Sequence, residues 1–323
     1  MPRRPGTRDA PTPPELPPVH FARDWLRSEV TANVRAGRWI RVRHGAYIDH
    51  ATDEAPHARA LRIALARIAA VAELSGDHVI SHTSAALLWG LPVLRTPTRT
   101  HVVSRAHPSG RSRDLVGHVL ELADSDVTLL AGRRVTTLER TVVDCAMAHG
   151  GHTGLIVADA ALRAGASLDA CREVAQRLAG RRGVIAARAV LDFADDGAES
   201  AGESSTRFAL LRAGLPRSET QVRTDTRLGA FWSDMGWPEW AVLLEYDGRT
   251  KYEATGRASD AVLKEKRRQD AIEETGRRVL RVVAADLRDP AALASRVLRA
   301  ARLHPGPLRP RRELTLGPAT SAS

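Results

Sequence analysis

The segment Leu243-Leu244-Glu245-Tyr246-Asp247-Gly248 places carboxylates where an apolar run ends. Ala241 to Tyr246 is short and bounded by Trp237-Pro238 and Asp247-Gly248, the pattern of a buried strand running into a turn. Side chains alternate along a strand, so Glu245 and Asp247 leave on one face. Asp234, on a preceding strand expected over Ala230 to Met235, lies beside them. Three carboxylates in one place repel each other. A hard divalent cation, Mg2+ or Mn2+, relieves that repulsion because oxygen is what it binds, and such a group supports metal-assisted hydrolysis. A purely structural use is also open: Asp247 begins an Asp-Gly turn, and Glu245 pairs with a nearby arginine.

Cations near these acids fit the same chemistry. Of the 48 Lys and Arg residues, the lysines are Lys251, Lys264 and Lys266, all within one short stretch after the acids. Lysine is a compact point charge suited to a scissile phosphate, which the planar guanidinium does not copy. Either Lys251 or Lys266 offsets charge there, while Lys264 reads as a solvated helix residue.

The elements that must position these groups follow from start and stop signals. Glu203 to Ala213 reads as a helix stopped by Gly214 and Pro216, and strands are expected at 220–224, 230–235 and 241–246. A helix from Ser259 to Thr275 ends at Gly276, and 278–283 is a further strand. The order is helix, three-strand meander, helix, strand. It predicts a mixed sheet flanked by helices, with the last strand returning through a crossover.

Glu203-Ser204, Gly214-Leu215-Pro216, Asp234 with Trp237-Pro238-Glu239, Glu245-Tyr246-Asp247-Gly248, Lys251-Tyr252, and Glu265-Lys266 with Arg268 and Asp270 resemble a C-terminal domain-of-unknown-function family related to very-short-patch-repair endonucleases. That family belongs to the PD-(D/E)XK nuclease superfamily, and the resemblance covers roughly residues 199 to 290. It implies a restriction-endonuclease-like α/β sandwich. It also implies that Asp234 and Glu245 are metal-binding acids and Glu203 a helix-borne acid that completes the shell or positions a water. Two residues after the second acid, where the superfamily carries lysine, this chain has Asp247, which is open to a ligand role.

The N-terminal half has a different pattern. Phe21 to Arg27 and Glu29 to Ala36 are short helical candidates. Trp39-Ile40-Arg41-Val42-Arg43 then alternates, His44-Gly45 turns, and Ala46-Tyr47-Ile48 runs back. Arg41 and Arg43 are expected on one strand face with Trp39, with Arg35 and Arg38 adding charge at the preceding join. A basic hairpin of this kind contacts a phosphate backbone, and ordinary solvation of the arginines is the alternative.

Gly37-Arg38-Trp39 with Arg41, Arg43 and Gly45-Ala46-Tyr47, then Ile80-Ser81-His82-Thr83-Ser84-Ala85-Ala86 with Leu88-Trp89-Gly90-Leu91-Pro92, and Thr136-Thr137 with Glu139-Arg140-Thr141-Val142-Val143-Asp144 are similar to the AbiEi-type antitoxins of bacterial abortive-infection systems. This second resemblance spans roughly 20 to 150. It implies a winged-helix DNA-binding region, autorepression and a cognate toxin.

The expected class is therefore α+β: a winged-helix-like N-terminal region, a helical middle and a nuclease-like C-terminal sandwich. Residues 1–19 form a disordered leader, 20–150 the DNA-binding and scaffold region, 151–198 a helical linker, 199–303 the nuclease-like domain and 304–323 a disordered tail. The small, acidic stretch from Asp192 to Gly202 reads as the flexible boundary. His82 lacks an acidic or cysteine partner at suitable spacing and reads as a helix-start residue capped by Ser81. A net charge of +10 favours nucleic acid as partner, and Arg over Lys also suits a GC-rich genome. Cys145 and Cys171 read as buried thiols in a reducing compartment, and no apolar run approaches a membrane span. Together these predict a cytoplasmic DNA-binding protein with a metal-dependent endonuclease domain, in phage defence or DNA repair. The rival expectation is an antitoxin-like repressor whose nuclease fold has lost catalysis.

Overall fold

The computed structural model describes residues 10–74, 78–104, 114–248, 258–304 and 308–315. The first unit comprises β1 (His20–Phe21), α1 (Arg27–Arg35), β2 (Trp39–Arg43), β3 (Ala46–Asp49) and α2 (Pro56–Leu74). Its sheet has the order β1-β3-β2, and Ala66 and Ala70 of α2 pack on Val42, Ala46 and Ile48. Glycine at 45 takes φ +71°, the left-handed conformation that the tight β2-β3 turn needs.

The middle unit is built from β4 (Val79–Ile80), α3 (His82–Leu88), β5 (Thr100–Val103), β6 (Leu115–His118), β7 (Val127–Leu130) and β8 (Arg133–Thr136). These strands form one sheet, ordered β6-β5-β4-β8-β7. Helices α4 (Leu138–Arg163), α5 (Leu168–Arg177) and α6 (Val184–Phe193) follow. The domain boundary expected at 150/151 falls inside α4, where Gly150 kinks the helix at φ 77°. Arg140, 2% exposed, pairs with Asp126 and Asp144, so the Glu139-to-Asp144 motif is a buried ionic anchor of the helix.

The C-terminal unit starts with α7 (Ala201–Ala213), then β9 (Glu219–Thr226), β10 (Gly229–Trp237), β11 (Val242–Tyr246), α8 (Ala258–Glu273), β12 (Arg278–Val282) and α9 (Pro290–Ala300). The sheet order is β12-β11-β10-β9. The meander β9-β10-β11 is antiparallel, and β12 is parallel to β11 after the α8 crossover, as the signals along this segment predict. Apolar faces of α7 and α9 cover it: Ala209 and Leu210 meet Met235, Trp237, Val242 and Leu244, with Leu293 and Val297 alongside.

Three expectations about order are corrected. Asp192 to Gly202 is not a loose hinge. Ala194 and Ala198 are buried, Asp195 accepts from Gly197 N and Thr220 Oγ1, and Asp195 N donates to Asp159 at 2.9 Å. In the tail, 308–315 is docked: Leu314 is 1% exposed in the α4/α6 core, and Arg311 donates to Leu211 O and Leu215 O at 2.7 Å. In the leader, Leu16 packs against the α2/α3 core and Val19 against the α2/β3 core. Short apolar anchors, Leu16 half-buried among prolines and Leu314 buried, seat the described parts of both segments.

Candidate functional site

Helix α7 delivers the first acid. Ser200 caps it, its Oγ accepting from Glu203 N at 3.2 Å, and the Glu203 carboxylate accepts in turn from Glu199 N and Ser200 Oγ, both at 2.8 Å. Glu203 therefore holds the helix start while facing the sheet. The next residue back has no side chain for a reason: a Cβ on Gly202 would stand 1.9 Å from the Tyr246 ring. That contact seats the first turn of α7 against the end of β11.

The other acids come from the sheet. Asp234 on β10 accepts from Tyr246 N at 2.7 Å, which ties it to the end of β11. Burial first, then the neighbouring charges of Glu203, Glu245 and Glu199, push the Asp234 carboxyl up to about 7, against the Tyr246 N–H that favours the ionised form. Glu203 is raised too, chiefly by burial, with Glu199 adding repulsion and Arg163 opposing it. Glu245 on β11 accepts from Ser233 Oγ at 3.3 Å and from both terminal nitrogens of Arg268, at 2.6 and 3.1 Å. A two-pronged guanidinium clamp of this kind is a strong, directional ion pair.

Glu203, Glu245 and Glu199 thus stand close enough to Asp234 for their charges to raise it, with Arg268 clamped on Glu245, while the carboxylate oxygens of Glu203, Asp234 and Glu245 do not all come within 4.8 Å of one another. Asp247 lies just past β11, held through its N–H to Val282 O at 2.8 Å. Lys266 is exposed on α8, and Lys251 lies outside the described residues. Glu199 was legible in principle, one helical turn before Glu203. Arg268 was in sight only as part of a charged run, and its partner depends on how α8 lies over the sheet.

On the N-terminal hairpin the face shared by Trp39, Arg41 and Arg43 does not persist. Arg41 pairs with Tyr47 and Arg43 with Ala46, so a bulge at Val42 turns Arg41 and Arg43 to opposite sides. Arg41 is exposed, whereas Arg43 turns in to an ion pair with Asp114 at 2.9 Å. Arg35 and Arg38 are exposed, Arg38 donating to Asn33 Oδ1 at 2.8 Å.

A second cluster was missed by spacing altogether. His82 at the start of α3, His101 on β5 and His118 on β6 bring one nitrogen each within 4.8 Å of one another, the one such set of His, Cys, Asp and Glu among the described residues. Burial pushes His101 down to about 3, with His118, His149 and Arg99 adding repulsion, and His118 to about 4, with His149 adding repulsion. Four histidines from four elements share no motif, so only the folded sheet reveals them.

No family model matches the chain. Uncharacterized proteins MT2308 and Rv2248, from two strains of Mycobacterium tuberculosis, are each 30% identical to it over 281 residues, or 84% of this chain and 96% of the relative. The chain belongs to their family. A match of that length, in a chain of 323 residues, runs through both the histidine and the carboxylate clusters. No helix of the described residues is long and apolar enough to cross a membrane.

Proposed function

We propose that this family member binds DNA and carries a divalent-metal-dependent endonuclease domain. The observation that carries the reading is that Glu203, from a helix, and Glu245, from the strand beside Asp234, both raise the Asp234 carboxyl through their charges, in a mixed sheet of a chain of net charge +10. The donor set is all carboxylate oxygen, which fits Mg2+ or Mn2+, and the mutual repulsion at Asp234 is what such an ion removes. Asp234 and Glu245 would hold it, and when bound it supplies Lewis acidity toward a phosphodiester and an activated water.

Residues of the chain do the rest. Glu203 fixes the helix start and would complete the shell or position a water. Among the described residues Arg268 is paired to Glu245, and it would offset charge building on the phosphate once it exchanges Glu245 for that ligand. On this reading the C-terminal unit is a restriction-endonuclease-like sandwich and the first unit a winged-helix variant in which Arg35, Arg38 and Arg41 contact phosphates. The chain would work in the cytoplasm, in phage defence or DNA repair.

One observation favours a second reading. The closed Arg268–Glu245 clamp satisfies Glu245 without any ion, as in an antitoxin-like repressor that grips DNA without cutting and answers to a toxin partner. Incubating the full-length chain with supercoiled plasmid, with and without Mg2+ or Mn2+, separates the two. Nuclease activity converts plasmid to nicked or linear forms only with metal. Sequence-selective binding with no cutting in any divalent metal supports the repressor.

A further inference from the structure

We infer that His82, His101 and His118 form a binding site for a borderline-soft transition metal of the Zn2+ class, separate from the carboxylate cluster. The three rings belong to different elements: the first residue of α3 and two neighbouring parallel strands, β5 and β6, paired through Val103 and His118. His101 Nδ1 and His118 Nε2 stand 3.0 Å apart, and the His82 ring lies 3.7 Å from that of His118. Two nitrogens on one tetrahedral Zn2+ are about 3.3 Å apart, given Zn–N bonds of about 2.0 Å. The His118 ring lies nearly parallel to the other two, with one nitrogen of each ring within 4.8 Å of the others, so ring rotation brings them onto one ion.

Three further features fit a ligand there. His82 Nδ1 contacts Ser81 Oγ at 2.9 Å, which fixes the ring and leaves Nε2 for the cluster, the outer-shell arrangement that orients a metal-bound imidazole. The backbone at His82 is held at φ 52°, a conformation that side-chain-bearing residues rarely adopt and that aims this ring inward. Beside it, the Thr83 hydroxyl is buried with no hydrogen-bond partner, and Thr83, His101 and His149 line one cleft of about 510 Å3.

The donor set decides the metal. Three imidazoles with no carboxylate among them suit Zn2+, Co2+, Ni2+ or Cu2+ and leave Mg2+ and Ca2+ without oxygen ligands. Three protein ligands also leave a fourth position for a water or anion, and of the three His101 lines the cleft that it shares with Thr83 and His149. His149, edge-on to His101 at 5.4 Å, stands at the rim of that opening.

The test is independent of the nuclease reading, since the two sites share no residue. The chelator-stripped full-length chain is titrated with Zn2+ alone against a chromophoric competitor, and Co2+ is added as a spectroscopic probe. Expected are one tight equivalent, tetrahedral Co2+ bands, and a loss of affinity of at least about 100-fold in His101→Ala and His118→Ala. Glu245→Gln should leave both signals unchanged. Where a histidine variant fails to fold, X-ray absorption of the wild-type Zn2+ complex answers instead, with three imidazole nitrogens in the first shell. No stoichiometric uptake, or a shell of carboxylate oxygens, overturns the proposal.

Discussion

The carboxylate cluster at the end of the C-terminal sheet and the histidine cluster on the middle sheet are built on one plan with opposite chemistry. Each draws like ionisable groups from separate elements into a partly buried place where they repel once charged. At Asp234 burial and neighbouring acids hold a carboxyl in its neutral form, whereas at His101 and His118 burial holds imidazoles neutral. A cation relieves the repulsion among the acids and takes up the lone pairs that the neutral imidazoles offer, but hard oxygen donors and borderline nitrogen donors select different ions. The acids also carry their own guanidinium, Arg268, while among the described residues no carboxylate stands within the histidine set. Similar repulsion thus yields two different ligand demands, and the difference is set by side-chain type rather than by depth.

The comparison breaks most severely if the frame holding the acids is cut. Helix α7 is fastened to α4 by Arg207 and Asp159, an ion pair fully withdrawn from solvent, with Ser204 Oγ adding a bond to Asp159 at 2.8 Å. Removing one partner strands the other charge, so Asp159→Ala should cost about 3 to 5 kcal/mol in urea unfolding. It should also open the 192–202 stretch, otherwise resistant, to limited proteolysis. A loss below about 1 kcal/mol would mean that this pair does not hold the helix.

Proton linkage sharpens the contrast next. Asp234 has a folded value near 7 against 3.8, so the native state holds the extra proton, and its contribution is complete below the unfolded value and lost as pH rises through 7. His101 and His118 are depressed from 6.5 to about 3 and 4, so their contribution is present above 6.5 and lost as pH falls through those values. The groups facing Asp234 are Glu199, Glu203 and Glu245, with Arg268 engaged by Glu245. In metal-free protein the Asp234 contribution amounts to roughly 2 to 4 kcal/mol. Mg2+ should therefore raise the thermal midpoint more at about pH 8 than at about pH 5, where it competes with the proton. Equal shifts at both would remove Asp234 from the Mg2+ site.

The smallest effect concerns the N-terminal hairpin. Arg41→Ala should lower the salt slope of DNA binding by about one with sequence preference intact. Arg43→Ala should leave the slope alone and cost about 1 kcal/mol of stability through the loss of its Asp114 partner. The reverse pattern would put the phosphate contact on the other side of the bulge.

The C-terminal meander and crossover were legible because each element has its own punctuation: Gly214-Leu215-Pro216 after α7, Trp237-Pro238 after β10 and Gly276 after α8. That Asp234 and Glu245 lie beside each other followed from the alternation of two neighbouring strands. That Glu245 meets an arginine was the structural alternative read from the sequence, but which arginine, like the pairing of Arg43 with Asp114 and of the histidines from four elements, is set by tertiary packing and stayed hidden. The bulge at Val42 was hidden too, since alternating polarity in Trp39 to Arg43 reads the same with or without it. The 192–202 stretch misled because small acidic residues suit a linker and equally suit a tight seam whose backbone bonds go to a buried Asp159.

The nuclease reading is tested most directly by comparing plasmid cleavage by the wild-type chain, Asp234→Asn and Glu245→Gln in Mg2+, with folding checked by circular dichroism. Each substitution removes a carboxylate oxygen from the ion while keeping side-chain size. Cleavage should fall by at least about 100-fold in both, with DNA binding retained or tightened as negative charge facing the phosphates is lost. Cleavage at the wild-type rate by both variants would contradict the account.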